Sequence, residues 1–325
     1  MELRKLQRTK TGTFFVCLPR EWAEKNGLER GSIVAITETS DGNLLISPKP
    51  SAERVLKEIT LKPSPFLDRE IIGKYLLGYD IIRVESKERI SPEDREKVKR
   101  AATRLVGLEI VEEDYAKIIL QCLLEPSSFP PEKVLRREYA IAASMHRDAV
   151  TALLDGDRKL AKNVVARDNE VNRLYFLLVR ILRTVIQNPS LGEKLGIRPI
   201  DCLDYRITSS LVESIGDQSA QLAKQVAEFK GIKPKQKIAK LIMELHSTIY
   251  DSHETAIKAL FLHEVSMAES VRGLQNKIKG LKEELHQELK EEEDADYFLS
   301  AISHLTRIYE NSVDIADLVI PRLSA

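Results

Sequence analysis

The spacing of apolar and polar residues divides this chain into three stretches. Residues 1–50 carry short β-prone runs between turn signals, and residues 51–130 alternate strand-like and helix-like patterns. Residues 131–325 repeat apolar positions at helical spacing almost throughout. We therefore predict an α+β chain that is mostly α-helical, with three domains at these bounds.

The first stretch predicts strands joined by tight turns. Thr13–Leu18 is an apolar β-prone run, and Pro19 opens a short helix that Gly27 closes. Two further strands, 32–37 and 44–47, flank the hairpin signal Asp41-Gly42. Fifty residues with so few strands bury too little apolar surface to be stable alone, so we expect a partner chain to complete this domain.

The middle stretch predicts a small α/β module with the order βαβαβ. Its predicted strands are 55–62, 80–85 and 117–124, and its predicted helices are 67–77 and 91–106. The second helix has Ser91 as its cap and Pro92 at its first position. The glycines of this stretch are isolated, so a phosphate-binding loop is not predicted.

The last stretch predicts two sets of three helices. The predicted helices are 132–154, 158–186, 199–229, 238–271, 274–290 and 294–320. Short connections between long amphipathic helices indicate antiparallel neighbours, so we predict two three-helix bundles packed together.

An acidic pair recurs in the last helix of each set. Glu213 and Asp217 are four residues apart, as are Glu310 and Asp314, and the second pair begins 97 residues after the first. Carboxylates at this spacing share one face of a helix and repel each other unless a cation neutralises them. Their recurrence indicates a duplicated helical unit.

Composition restricts the class of protein further. The 325 residues are 43% apolar and 31% charged, and the formal net charge is zero, so attraction to nucleic acid would have to come from a local patch. Apolar runs are interrupted by charges, so we expect no membrane insertion. Three scattered cysteines predict neither a disulfide framework nor a metal site, which favours a reducing, cytoplasmic location.

Enzymatic chemistry is not predicted. The sequence does not place a nucleophile beside a base, and a di-iron carboxylate centre would need Glu-x-x-His motifs from two helices, whereas only Glu283 and His286 fit. The remaining histidines, including His146, His246 and His253, are expected at the surface or the edge of the core.

The helical half resembles the PhoU family of phosphate-signalling proteins. The similarity is carried by residues 154–161 (LDGDRKLA), 168–172 (DNEVN) and 211–217 (LVESIGD), and in the second repeat by 309–314 (YENSVD). The resemblance implies a paired-bundle fold, a role in phosphate uptake, and acidic faces that hold multinuclear clusters of iron or another divalent metal in some members. By position, Asp168, Glu213 and Asp217 would hold one cluster, and Glu310 and Asp314 the other.

The chain departs from that family pattern at several positions. Asn172 stands where a second acid is common, and Tyr175 stands where some members have Glu. The region around Gly273 and Lys277 lacks the acidic motif of the first repeat. The competing interpretation is that these acids are structural, paired with neighbouring cations or solvated, and hold no cofactor.

The first 50 residues resemble the AbrB/SpoVT swapped-hairpin family. Residues 4–13 (RKLQRTKTGT), 16–22 (VCLPREW) and 27–31 (GLERG) carry the similarity. The family implies a homodimer whose hairpins interleave into one β-barrel and whose basic loops bind DNA. The implied contacts are Arg4, Lys5, Arg8, Lys10, Thr11 and Arg20, and residues 1–20 have a local balance of +4, five cations against Glu2. The competing interpretation is an edge strand that its charges keep soluble, or a domain that only dimerises.

Together these features predict a cytoplasmic homodimeric transcriptional regulator of phosphate uptake. In it, a PhoU-like bundle senses a signal and controls a DNA-binding dimer. The alternative is an adaptor that does not bind DNA and docks a phosphate transporter ATPase or a signalling kinase. The sequence names neither the operator, nor the effector, nor the role of the middle module.

Overall fold

In the computed structural model the chain forms two compact units, residues 1–56 and residues 57–325. The structure describes residues 2–38, 42–48, 56–229 and 232–321.

The N-terminal unit consists of two short antiparallel hairpins and one helix. Strand β1 (Gln7–Arg8) pairs with β2 (Phe14–Phe15), helix α1 spans Arg20–Lys25, and β3 (Ala35–Glu38) pairs with β4 (Leu44–Ser47). All of these elements except β1 were predicted. Asp41 of the predicted turn and the linker residues 49 and 50 lie outside the described residues. Each hairpin is a separate two-stranded ladder in the described part of this single chain, so the interleaved barrel of two chains stays a prediction.

The second unit begins with an α/β module. Its elements are β5 (Glu58–Leu61), α2 (Leu67–Leu76), β6 (Ile81–Glu85), α3 (Pro92–Thr103), β7 (Leu108–Glu113) and β8 (Lys117–Cys122). The sheet order is β5-β6-β8-β7, with β5 and β6 parallel and the other pairs antiparallel. Ser91 caps α3 as predicted, because its hydroxyl accepts a hydrogen bond from the Asp94 amide at 3.1 Å.

The prediction of three strands in this module was wrong, because β7 is a fourth. Glu109, Glu112 and Glu113 interrupt its apolar pattern, and a register shift between Ile110 and Glu112 breaks the alternation. An edge strand tolerates such acids because much of it faces water. Residues 108–113 form a strand because they pair with β8, although their own sequence pattern does not predict one.

The rest of the second unit is helical. The first set contains α4 (Pro131–Asp155), α5 (Arg158–Gln187), the short α6 (Pro189–Leu195) and α7 (Asp201–Glu228). The second contains α8 (Gln236–Leu262), α9 (Val265–Gly273), α10 (Gln275–Leu289) and α11 (Ala295–Asp317). Helices α4, α5 and α7 pack on one another, α8 packs on α10 and α11, and α7 with α11 joins the two sets around one core. The three longest helices of each set confirm the predicted pair of three-helix bundles, to which the shorter α6 and α9 are additions.

The prediction of one helix over residues 238–271 was wrong. The chain ends α8 at Leu262 because His263 adopts a left-handed conformation with φ 56°. The ring Nδ1–H of His263 donates to the Ile320 carbonyl at 3.1 Å, which fixes this break against the segment that follows α11. A glycine or proline would have signalled the break in the sequence, but neither is present there.

Three histidines lie buried between α4 and α8, although surface or edge positions were expected. His146 Nδ1 is 3.1 Å from His253 Nε2, and His146 Nε2 is 3.2 Å from His246 Nδ1. The Tyr139 hydroxyl donates to or accepts from His253 Nδ1 at 2.8 Å. Since His146 uses nitrogens on opposite sides of its ring, the three rings do not converge on one ion. They form a hydrogen-bonded row that joins the two repeats.

A buried ion pair attaches the α/β module to α5. Arg180 donates from Nη2 to Asp80 Oδ1 at 3.0 Å and from Nη1 to the carbonyls of Tyr75 and Tyr79 at 2.6 and 2.9 Å. The side chains of Arg180 and Asp80 are only 2% and 3% exposed. A charge buried this deeply persists only when it is paired, so the module and the bundle have one fixed arrangement here.

Among the described residues, no helix has both the length and the apolar character that crossing a bilayer requires.

Candidate functional sites

The predicted DNA-contacting residues lie on an exposed basic surface of the N-terminal unit. Arg4, Lys5, Arg8, Lys10 and Thr11 are all exposed, as is Arg20 at the start of α1. Arg4 pairs with Glu2, and Arg20 pairs with Glu24 at 2.7 Å. Exposed pairs of this kind contribute at most about 1 kcal/mol, so a stronger anion can displace either acid.

The tip of the β1–β2 hairpin holds part of this surface in a defined turn. Thr9 accepts a hydrogen bond on Oγ1 from the Thr13 amide at 3.0 Å, and Gly12 takes a φ of 97°. The turn therefore presents Lys10 and Thr11 at its end. At its base the Arg8 guanidinium lies 5.3 Å from the centre of the Phe14 ring, a cation–π contact.

The predicted acids of the first repeat meet at the interface of α5 and α7. Asp168 lies on α5, and Glu213 and Asp217 lie one turn apart on α7. Asp168 lies close enough to Asp217 for the two carboxylates to repel each other, so the pair favours a state in which one of them carries a proton. Asn172 donates its amide to Asp168 Oδ2 at 3.0 Å and so satisfies one oxygen that a second acid would have repelled.

Burial and mutual repulsion favour the neutral forms of these acids. Burial, followed by the charges of Asp217 and Asp168, raises the pKa of Glu213 to about 7. Burial and the neighbouring Asp168 raise the pKa of Asp217 to about 6, and burial also raises the pKa of Asp168. The interface therefore carries negative charge that the protein compensates incompletely near neutral pH.

Glu138 is a fourth carboxyl group of this interface that the sequence analysis did not single out. It lies on α4, is fully buried, and accepts a hydrogen bond on Oε2 from the Ser209 hydroxyl at 2.7 Å. Its Oε1 atom has no hydrogen-bond partner among the described residues, and burial raises its pKa well above the usual range. The available signal was its place in the apolar stripe with Val134, Leu135 and Ala142.

These oxygen donors fit a hard divalent cation in their chemistry. Carboxylates are the preferred ligands of such ions, and a buried Asp168 Oδ1 that has no hydrogen-bond partner within the described part of the chain is a suitable donor. Within the described residues, however, no group of three or more acids, histidines or cysteines already has an arrangement that holds a metal. A cation would have to draw Asp168, Glu213 and Asp217 together, so the predicted cluster stays a prediction.

The second acidic pair is more open and partly neutralised. Glu310 is exposed and accepts from Arg307 at 2.8 Å, while Asp314 is exposed beside Asp317. Asp317 itself pairs with Arg272, whose Nε–H donates to Asp317 Oδ1 at 2.8 Å. Arg307 thus neutralises Glu310, whereas burial, followed by the charges of Asp317 and Glu310, raises the pKa of Asp314.

Comparison with known proteins supports both resemblances. The model of the PhoU domain matches residues 135–226, and that of the antidote-toxin recognition MazE family of bacterial antitoxins matches residues 7–54. Neither family is one of enzymes. None of the curated proteins matches the chain.

Two solved structures of PhoU are similar to the helical region. The crystal structure of PhoU from Pseudomonas aeruginosa is 18% identical, with a TM-score of 0.52 over 58% of this chain and 93% of that one. The PhoU phosphate transport system regulatory protein from Streptococcus pneumoniae is 19% identical, with a TM-score of 0.47 over 58% of this chain and 91% of that one. The first of these shows the shared fold. The chain therefore contains a PhoU domain at residues 135–226 and a MazE/AbrB-type domain at residues 7–54.

Proposed function

We propose that this protein is a homodimeric, DNA-binding transcriptional regulator of phosphate homeostasis. In this proposal the PhoU domain receives the signal and the N-terminal unit contacts the operator. The observation that carries the proposal is the composition of the N-terminal surface, which is basic and apolar at the same time.

The apolar part of that surface supports dimerisation. None of the described residues of the N-terminal unit is buried, and the exposed fractions reach 65% for Leu6, 60% for Phe14 and 61% for Ile36. Burying such a side chain is worth about 1.5–3 kcal/mol, so leaving all of them in water is unfavourable. A second copy that interleaves its hairpins with these strands would remove them from water.

The basic part of the surface supports DNA binding. Five exposed cations lie within the first twenty residues against Glu2, and a homodimer doubles that charge. Phosphate contacts by lysine and arginine release condensed counterions from DNA and make the affinity fall steeply with salt. This segment therefore supplies the local attraction to DNA that a chain with zero net charge does not have as a whole.

The test is DNA binding as a function of salt concentration. The full-length protein is titrated onto its own upstream region and onto phosphate-transporter promoters. Replacing Arg4 and Arg20 by Ala should weaken DNA binding. The slope of log K against log salt concentration should become shallower by about 1 for each phosphate that the wild-type side chains neutralise. The control replaces Lys87 and Arg89, two exposed cations of the second unit, and should bind as the wild type does. An absence of DNA binding at low salt would refute the proposal.

A second candidate function is an adaptor that docks a protein partner such as a transporter ATPase or a kinase. An exposed apolar stripe at the start of α7 favours it: Ile200, Leu203 and Ile207 are 61%, 56% and 47% exposed. Such a stripe is typical of a surface that binds protein. If the Arg4 and Arg20 variant lost DNA binding and an Ile207→Lys variant did not, the regulator would be favoured over the adaptor.

A further inference from the structure

A groove lies where the α/β module meets the first bundle. It has a volume of about 560 Å³ and is bounded by the residue Val106 after α3, the turn at 128–130, and one face each of α4 and α5. Its floor is apolar and is formed by Phe129, Val134, Ile141, Leu174 and Leu177. This volume lies within the range of pockets that hold small organic molecules.

The rim of the groove is cationic. Lys133 and Arg137 stand one turn apart on α4, Arg173 faces them from α5, and Glu170 is the one acid among the described residues of the lining. Three cations against one acid give the lining a net charge of +2. Like charges four residues apart on a helix repel each other, so the arrangement of Lys133 and Arg137 costs stability in the free protein.

The three rim cations are available to a ligand. Within the described ranges, the side chains of Lys133, Arg137 and Arg173 make no hydrogen bond and no ion pair. Arg180, two turns further along α5, is by contrast fully engaged by Asp80 and two backbone carbonyls. An anion bound at the rim would therefore displace no protein partner there, and it would relieve the repulsion between the cations.

We propose that this groove binds a small organic phosphate of the nucleotide class. The phosphate groups would lie against Lys133, Arg137 and Arg173, because guanidinium groups match phosphate oxygens in a bidentate manner. The base would lie on the apolar floor, where Phe129 supplies an aromatic face. Inorganic phosphate would pair with the rim cations but would leave the apolar floor exposed to water, so it should bind more weakly than a nucleotide.

The position of the groove gives such a ligand a structural consequence. It would contact Val106 of the module, the turn before α4, and both helices at once. Arg173 and Arg180 lie seven residues apart on one side of α5, so the ligand would sit beside the buried ion pair that fixes the module. Binding would stabilise this junction by mass action.

The test is calorimetric titration of the full-length protein with ATP, GTP, AMP and inorganic phosphate in buffer with a metal chelator. At least one nucleotide should bind with one site per chain and more tightly than inorganic phosphate. Replacing Arg137 and Arg173 by Ala should weaken it about tenfold or more, because hydrogen bonds to charged groups are among the stronger ones. Ser128→Trp, which fills the groove from an exposed position, should weaken it too.

Two controls separate this site from other basic surfaces. Arg183→Ala removes an exposed cation from the same helix outside the groove and should not change the affinity. The Arg4 and Arg20 variant should also bind the nucleotide normally, so the groove can fail or succeed independently of DNA binding. The inference is overturned if no nucleotide binds at about 1 mM, the weak end of the affinity scale. It is also overturned if inorganic phosphate binds equally well, or if the groove variants bind as the wild type does.

Discussion

Replacing Arg180 by Met should release the α/β module from the bundle. The substitution keeps a long side chain but removes the charge and the three hydrogen bonds to Asp80, Tyr75 and Tyr79. It leaves the Asp80 carboxylate 3% exposed without its cation, although the Lys57 amide still donates to Oδ2 at 3.1 Å. Removing one partner of a buried ion pair typically lowers folding stability by about 3–5 kcal/mol.

Most of that destabilisation should appear as local opening of the module. Hydrogen exchange measured by mass spectrometry on the full-length protein reports the opening free energy of α2 and β6 separately from the second repeat. A decrease of about 3 kcal/mol corresponds to roughly 100-fold faster exchange of these amides. Arg180→Lys keeps the positive charge but loses the forked guanidinium, so its exchange rates should fall between those of the wild type and Arg180→Met. Arg183→Met, at an exposed position, is the matched control.

A double variant tests whether the pair itself carries the effect. Replacing Asp80 by Asn in the Arg180→Met background removes the buried negative charge and should restore part of the protection from exchange. Unchanged exchange in Arg180→Met, or equally fast exchange in Arg183→Met, would refute the reasoning that this ion pair fixes the module.

The remaining predictions concern pH. The pKa of Glu213 is raised to about 7, so its folded state binds the proton more tightly, and its contribution to stability is lost as pH rises from about 4.5 to about 7. In metal-free buffer Glu213→Gln should therefore raise the free energy of unfolding at pH 8 by about 1–2 kcal/mol after solvent screening. The control Glu283→Gln should leave it unchanged. If the acids hold a cation, saturating Mn²⁺ should restore the stability that the wild type loses at high pH. Burial lowers the pKa of His146 and lowers that of His253 to about 3, so the unfolded chain binds these protons first and stability should fall as pH drops from about 6.5 toward 3. In His253→Phe the urea midpoint should fall less steeply as the pH is lowered. This variant should also lose about 1–3 kcal/mol of stability, because Tyr139 and His146 each lose a hydrogen-bond partner. An unchanged dependence of the midpoint on pH would contradict this account.

The helix ends show where local signals suffice. Ser91 and Pro92 specify the start of α3 by a hydrogen bond and a backbone angle within a few residues, so the prediction there was accurate. His263 breaks α8 from α9 without such a signal, because its left-handed conformation depends on a contact with the segment after α11. Strand β7 was missed for a similar reason, since β8 determines its pairing and not its own acidic sequence.

The candidate sites divide in the same way. By itself the sequence determined the two family resemblances, the basic N-terminal segment and the acidic pair of α7, because these depend on residue types at short, fixed spacings. Only the tertiary structure placed Asp168 against Asp217, added Glu138 to their interface, and joined His146 to the histidines of α8. It also paired Arg180 with Asp80, 100 residues away, and formed the cationic groove from two helices and a turn. The physical reason is that burial and the field of distant charges decide what these groups do, and both arise only when helices far apart in the chain are packed together.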